Sequence, residues 1–588
     1  MTDFIKTTDH AAVSLNAKRD VQLTMPWFVS KSKYPPRHAN LIEPLINGER
    51  TFGAVHEAIA NAKKSVDIIS WGFDPSMRLK RPNGERLGDL LVRLADHHKR
   101  SGEDFTKPNI QVRVLIWKNA FANFAENNII GEGLLGSGGG TPMGSGVGGL
   151  ESAGGKPSQS DAEFNDYGSK VTNSAAVLRD DDEAKHFNRE WFRYQPPDLE
   201  FRTRDFSLPD RTSILAHQIA QRGMSNASRT YLMTDFASHH QKMILVDYEL
   251  PEHAVGFVMG HNLLRNYWDT DSHEYFSALR HGFAPWQDLS CKVRGPILFD
   301  LNENLMTAWD KAEGQGSKFF WSDARKAIKA IDFIAPASRR GGREMAQICR
   351  TQPQENDRSI LDAYKLALAN ARNYIYFENQ YFRYKEFAEL LRLTRRKLKA
   401  AGWKRDFHIF VVTNVPPGAG KLNTYEMLAA LGKGQMMPSI EKKENSARDP
   451  DAALRKTDLD GVNIHITTLC ASTKEPAKNK YKEIYVHSKL LLVDDVFFTL
   501  GSANVNVRSL EGDSELNISC PSPELTQQWR AHLWKLHTGR APQEDIKEEF
   551  KGWAALMAKN GDAKKIGAPL STSLIEFFDG ESATMAPD

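Results

Sequence analysis

An eight-residue pattern that occurs twice constrains this chain more than any other feature: His240-Gln241-Lys242-Met243-Ile244-Leu245-Val246-Asp247 and His487-Ser488-Lys489-Leu490-Leu491-Leu492-Val493-Asp494. Both read HxKxxxxD, and each is followed by a glycine and an asparagine, Gly260 with Asn262 and Gly501 with Asn504. The preceding segments repeat as well. A helical pattern through Val55, Ile59 and Ala62 leads into the strand-like run 66–71, and the stretch 363–368 leads into 374–380. Further on, the apolar run 112–117 has its counterpart in 409–412. Alternating helices and buried strands predict a layered α/β fold. An internal duplication explains two such series more simply than coincidence does.

Within the pattern, histidine and lysine lie two residues apart, so on a strand they project from the same face. The four apolar residues that follow suit a strand buried on both sides of its sheet. Breaking a phosphodiester needs a nucleophile for phosphorus, an acid for the departing oxygen, and positive donors for the non-bridging oxygens. Two copies of His and Lys supply all three. One neutral imidazole can attack while the other, protonated, acts as acid and afterwards as base. That division requires carboxylates that push the two imidazoles apart in pKa. A single HxKxxxxD arises by chance in about one chain in twenty of this size, whereas two at equivalent places in a repeat do not. The scheme calls for no metal and no cofactor.

The remaining composition narrows the choice. With 588 residues, 40% hydrophobic and 26% charged, the chain can build two or three cores. A net charge of +3, from 77 basic and 74 acidic residues, gives no overall field for nucleic acid. Cys291, Cys349, Cys470 and Cys520 lack CxxC spacing, so reduced thiols are expected and neither a zinc site nor a disulfide framework is legible. The start, Met1-Thr2-Asp3-Phe4-Ile5-Lys6, lacks the apolar core of a signal peptide, and no run approaches the roughly 18 apolar residues of a membrane span. The expectation is a protein made in the cytoplasm, with export by a signal-peptide-independent route left open. Between Trp117 and His240 lies a glycine-rich tract, 131–157, followed by the acidic run Asp180-Asp181-Asp182-Glu183, expected to be a mobile excursion or flap. Its GxGxxG, Gly144, Gly146 and Gly149, has no strand before it and is not read as a dinucleotide site.

At these residues the chain resembles the phospholipase D superfamily, in particular its larger plant- and animal-like members. Further stretches carry the resemblance: Ser238-His239-His240-Gln241-Lys242, Asn266-Tyr267-Trp268-Asp269-Thr270, Pro285-Trp286-Gln287-Asp288, Ile375-Tyr376-Phe377-Glu378-Asn379-Gln380-Tyr381-Phe382, and Gly501-Ser502-Ala503-Asn504-Val505-Asn506-Val507-Arg508-Ser509-Leu510 with Asp513-Ser514-Glu515. The resemblance implies two α/β/α sandwich lobes related by a pseudo-twofold axis, with the active site at their interface. The domains expected are an N-terminal arm (1–45), a first lobe (46–330) with an insertion at about 119–205, a second lobe (331–545) and a C-terminal segment (546–588). The two motifs, His240, Lys242, Asp247 and His487, Lys489, Asp494, form the catalytic set. His240 is implied as nucleophile and His487 as acid and then base, while Asp247 and Asp494 support the strand without touching substrate. Lys242, Lys489, Asn262 and Asn504 would hold phosphate oxygens, and Asp269 and Glu515 would orient the imidazoles.

The activity so implied is hydrolysis of membrane glycerophospholipids to phosphatidic acid through a phosphohistidine, with transfer to alcohols alongside. Two departures keep head-group choice from being carried over: Gln287 stands where many relatives have histidine, and Gly260-His261-Asn262 replaces the commoner Gly-Gly-x-Asn/Asp. No C2, PH or PX type module precedes the core, and the segment from Phe550 to Phe578 is similar to bacterial phospholipase effectors delivered by type VI secretion. That likeness implies an immunity protein and a secretion-tip partner. Three other readings compete with it. A nuclease fits poorly with balanced charge and with Arg395-Arg396-Lys397 on a solvated helical face, so no nucleic acid is expected. A cardiolipin or phosphatidylserine synthase is closer in chemistry, since an alcohol can replace water as the second nucleophile, but cardiolipin synthases normally have N-terminal membrane helices. A lipid-binding protein without turnover would not need both His–Lys pairs. For membrane contact, Trp27, Phe28 and Tyr34 are read either as exposed anchors or as packing on the first lobe.

Overall fold

The computed structural model describes residues 26–96, 110–117, 175–193, 196–222, 237–281, 283–312, 321–334, 343–416, 420–444, 459–475 and 479–580. The glycine-rich tract and its GxGxxG lie outside the described residues. The acidic run 180–183 falls in a helix, Ala175–Arg193, and is not the excursion expected of it.

The architecture is mixed α/β. The first half contributes β1 (Arg37–Ile46), β2 (Ser65–Ser70), β3 (Gln111–Trp117), β4 (Leu199–Arg204), β5 (Met243–Val246), β6 (Val255–Met259), β7 (Trp286–Gln287) and β8 (Leu289–Arg294). Seven of these form a sheet in the order β4-β3-β2-β5-β6-β8-β1, parallel across β4-β3-β2 and antiparallel elsewhere. The second half contributes β9 (Glu344–Gln352), β10 (Asp357–Arg358), β11 (Tyr374–Asn379), β12 (Phe407–Val412), β13 (Val462–Ser472), β14 (Tyr481–Val486), β15 (Lys489–Val493), β16 (Phe497–Gly501), β17 (Glu515–Cys520) and β18 (Leu574–Glu576). Its order, β13-β12-β11-β15-β16-β17-β9, repeats the first strand for strand and in the same pairing senses. The two sheets join where β1 pairs with β9 and β7 with β14.

Strand alternation explains the layers. Val66, Ile68, Val112 and Val114 pack against Phe52, Val55 and Ile59 of the helix Asn47–Ala60, while Ile69 and Leu115 face Leu298, Leu301 and Leu305 of the helix Ile297–Asp310. In the second half, Ile375 and Phe377 meet the helix Ser359–Asn370, and Tyr374 and Tyr376 meet Trp529 and Trp534. The cluster holding Ile69, Leu245 and Leu301 also holds Tyr376, Leu490 and Trp534, so one core runs across both halves.

Two segments differ from expectation. Within the supposed arm, residues 37–46 are a sheet strand, and the preceding residues pack on the second half, not the first. Trp27 stacks on Phe497 with centroids 4.9 Å apart, Phe28 and Tyr34 are buried, and the Gln347 side chain donates to the carbonyls of Val29 and Tyr34 at 3.0 and 2.8 Å. These aromatics are therefore not exposed anchors. At the other end, the helix Ile546–Lys565 places Trp553 and Met557 in the shared core, and β18 pairs with β13. Among the described residues, no helix is long and apolar enough to cross a membrane.

Candidate active site

Each motif histidine stands at the entrance of a strand whose continuation is buried on both faces, β5 after His240 and β15 after His487. Its backbone is tied to the opposite half of the molecule. The N–H of His240 donates to Ser514 O at 2.8 Å, and the N–H of His487 donates to Gln287 O at 2.7 Å. The side chains follow the same crossing. His240 Nδ1 lies 2.9 Å from Glu515 Oε1, and His487 Nδ1 lies 2.8 Å from Asp288 Oδ2. A carboxylate on Nδ1 holds the proton there, which leaves Nε2 as the free, nucleophilic or proton-carrying nitrogen. Each motif histidine thus takes its carboxylate from the opposite half.

Glu515 thus stands where its orienting role requires, whereas Asp269 does not. Asp269 accepts from His273 Nδ1 at 3.0 Å, Arg280 Nη1 at 3.1 Å and the Trp286 N–H at 2.8 Å, fixing the loop that leads into β7. Asp288 is the carboxylate on His487. The repeat held the signal for it: Asp288-Leu289 immediately follows β7 into β8 as Glu515-Leu516 opens β17, and these two strands hold equivalent places in their sheets.

Around the imidazoles, Lys242 Nζ donates to His240 O at 2.8 Å, and Lys489 Nζ donates to His487 O and, at 3.1 Å, to Gln380 Oε1. Asn262 donates to the Tyr267 hydroxyl at 2.8 Å, and that hydroxyl lies 3.4 Å from His487 Nε2. Asn504 is buried, and its Oδ1 has no hydrogen-bond partner among the described residues. The structure therefore collects both His–Lys pairs around the strand entrances, with Asn262 reaching His487 through Tyr267. Asp247 and Asp494 lie at the other ends of β5 and β15. Asp247 accepts from the N–H groups of Lys63, Lys64 and Ser65, and Asp494 from those of Arg372, Asn373 and Tyr374. Both aspartates sit in left-handed backbone, φ 56° and 52°. They fasten the turn before the neighbouring antiparallel strand, β2 or β11, and do not reach the imidazoles.

Burial dominates the electrostatics. It holds His240 well below the usual histidine value, helped by Lys242 and Lys489, and does the same to His487, helped by Lys489, Lys242 and His240. It also takes Lys242 down to about 7, and Lys489 well down, while Asp288 and Glu515 rise to about 7. Every shift disfavours a charged form that has lost water. A phosphodiester anion would restore counter-charge to the cationic forms.

Behind His487 runs a polar chain that the sequence did not reveal. Gln287 Oε1 meets His273 Nε2 at 2.7 Å, and Gln287 Nε2 donates to Glu378 at 2.8 Å. Glu378 also receives Ser488 at 2.7 Å, His537 at 2.9 Å and the Tyr376 hydroxyl. These side chains are buried, and the hydrogen bonds among them stiffen the strand that carries His487.

Comparison with known proteins points to one superfamily. Residues 203–385 match the family described as Phospholipase D, and residues 364–537 the one described as Cardiolipin synthase, PLD-like domain. Phospholipase D alpha 2 of Arabidopsis thaliana is 27% identical over 438 residues, covering 57% of this chain and 53% of that protein. Phospholipase D alpha 2 of Oryza sativa subsp. japonica is 26% identical over 581 residues, covering 81% of this chain and 60% of the relative. The chain thus spans between half and two thirds of the length of these curated relatives. Among solved structures, phosphatidylserine synthase of Haemophilus influenzae Rd KW20 aligns with 92% of this chain and 98% of its own at 11% identity and a TM-score of 0.40. On its two family matches and its plant relatives, the chain belongs to the phospholipase D superfamily.

Proposed function

We propose that this protein is a phospholipase D that hydrolyses glycerophospholipids to phosphatidic acid and a free head group, and transfers the phosphatidyl group to alcohols when they are present. The observation that carries this reading is the crossed pair of histidine–carboxylate contacts, His240 with Glu515 and His487 with Asp288, flanked by two buried lysines. Nε2 of His240 attacks phosphorus, and His487 gives its proton to the departing head-group oxygen. His487 then takes a proton from water or an alcohol, whose oxygen displaces His240 from phosphorus. The greater accessibility of the His240 side chain, 14% against 3% for His487, favours this assignment. Lys242, Lys489, Asn262 and Asn504 hold the non-bridging oxygens. The substrate's negative charge raises His487 into the protonated form that its first step needs. Neither metal nor cofactor enters the scheme. The matching strand orders support descent of the halves, 46–330 and 331–545, from one duplicated lobe.

The test incubates the protein with phosphatidylcholine, phosphatidylethanolamine and phosphatidylglycerol vesicles in EDTA, with and without ethanol. Phosphatidic acid, joined by phosphatidylethanol when the alcohol is added and lost in His240→Ala and His487→Ala, is the expected outcome. Cleavage of DNA or RNA without lipid product would transfer the assignment to a nuclease.

A further inference from the structure

The face of the first sheet that turns toward the shared core carries a narrow recess lined by Ile69, Leu115, Trp117, Arg204, His239 and Gln241. Strand register sets Ile69 beside Leu115 and Trp117 beside Arg204. His239 and Gln241 alternate with His240 and Lys242, so the recess lies behind the His–Lys centre and not within it. Arg204 is only 6% exposed, yet makes no hydrogen bond or ion pair among the described residues. Nearby carboxylates are engaged elsewhere, Asp205 with Arg211 and Glu355 with Arg350 and Lys311. The Trp117 Nε1–H and the ring nitrogens of His239 are also buried, and among the described residues no side chain answers them.

The second half shows that the fold does not require this cation. In the equivalent register Glu378 replaces Ile69 and Leu469 replaces Arg204, and Glu378 carries four side-chain partners of its own. A desolvated guanidinium whose nearest carboxylates, Glu355 and Asp210, act on it without forming an ion pair is costly, and burial draws Arg204 down to about 10. An anion in the recess would remove that cost.

We propose that the recess is a second anion site, separate from the His–Lys centre, that takes a phosphate-type oxyanion on Arg204 with further donors from Trp117 and His239. The guanidinium fork suits two oxyanion oxygens at once. Free phosphate and the phosphomonoester end of a lipid share this chemistry. The proposal goes beyond the lipid reaction and is read without turnover, so failure of the catalytic reading leaves it standing.

Calorimetric titration of the full chain with inorganic phosphate tests it, using Lys242→Ala/Lys489→Ala to silence the first centre. That double variant is expected to bind one phosphate per chain. Adding Arg204→Met should weaken binding at least tenfold, whereas Arg204→Lys should retain it within a few-fold. Binding of dihexanoyl phosphatidic acid, but not phosphate, to the same Arg204-dependent site identifies a lipid source. Wild-type crystals soaked in selenate supply a second reading that does not depend on the variants folding: an anomalous selenium peak beside Arg204 is expected. No Arg204-dependent binding of either ligand, together with no selenium peak there, overturns the proposal.

Discussion

Asp288 and Asp269 are both fully buried carboxylates, but they face different partners, and substitution separates them. Asp288→Asn and Glu515→Gln remove the charge that fixes the Nδ1 proton of a reacting imidazole, so each lowers kcat by roughly 10²–10⁴ with the fold retained. Asp269→Asn leaves Arg280 buried and short of its counter-charge, so it costs about 3 kcal/mol of stability while kcat changes by less than about threefold. Steady-state kinetics beside thermal melts distinguish the two. The depressed pKa of His240 gives a further expectation. Burial, Lys242 and Lys489 keep its free imidazole neutral in mildly acidic solution, so the acid limb of kcat/KM lies below the ordinary value of about 6.5. Lys242→Met removes a cation that opposes protonation, so the residual activity of that variant shows this limb at higher pH.

At the scale of elements, the motif serves two jobs five residues apart. Its His and Lys present chemistry at a strand entrance, and its aspartate ties three backbone N–H groups at the strand exit. Asp247→Ala and Asp494→Ala therefore cost about 3 kcal/mol each through lost charge-assisted hydrogen bonds, with kcat per folded molecule nearly unchanged. Urea titration against kcat checks this. Elements whose identity rests on local pattern were legible in the sequence: β2, β3, β11 and β12 fall within a few residues of the runs read from hydrophobicity and β-branching. The role of Asp288 was not, because its contact with His487 spans 199 residues and no local rule fixes which of several carboxylates arrives. Aligning the two repeats past the motif would have supplied it. Trp27 and Tyr34 escaped for the same reason: the surface they cover is contributed by Phe497, Gln347 and Arg350, more than 300 residues away.

On the scale of the whole molecule, the crossing of the pairs makes the two halves interdependent. His240 without the second half has no Glu515, His487 without the first has no Asp288, and either half alone exposes the core cluster they share. Fragments divided within 335–342 should each lack phospholipase activity when expressed singly and regain it on co-expression, as measured by release of phosphatidic acid. The central claim is that the reaction proceeds through a phosphatidyl adduct on His240. The most direct measurement quenches the enzyme during turnover of phosphatidylcholine in alkaline denaturant and maps the acid-labile adduct by mass spectrometry. A phosphatidyl group on the peptide holding His240, absent in His240→Ala, is the predicted result. An adduct confined to His487, or steady turnover with no adduct on either histidine, contradicts the account.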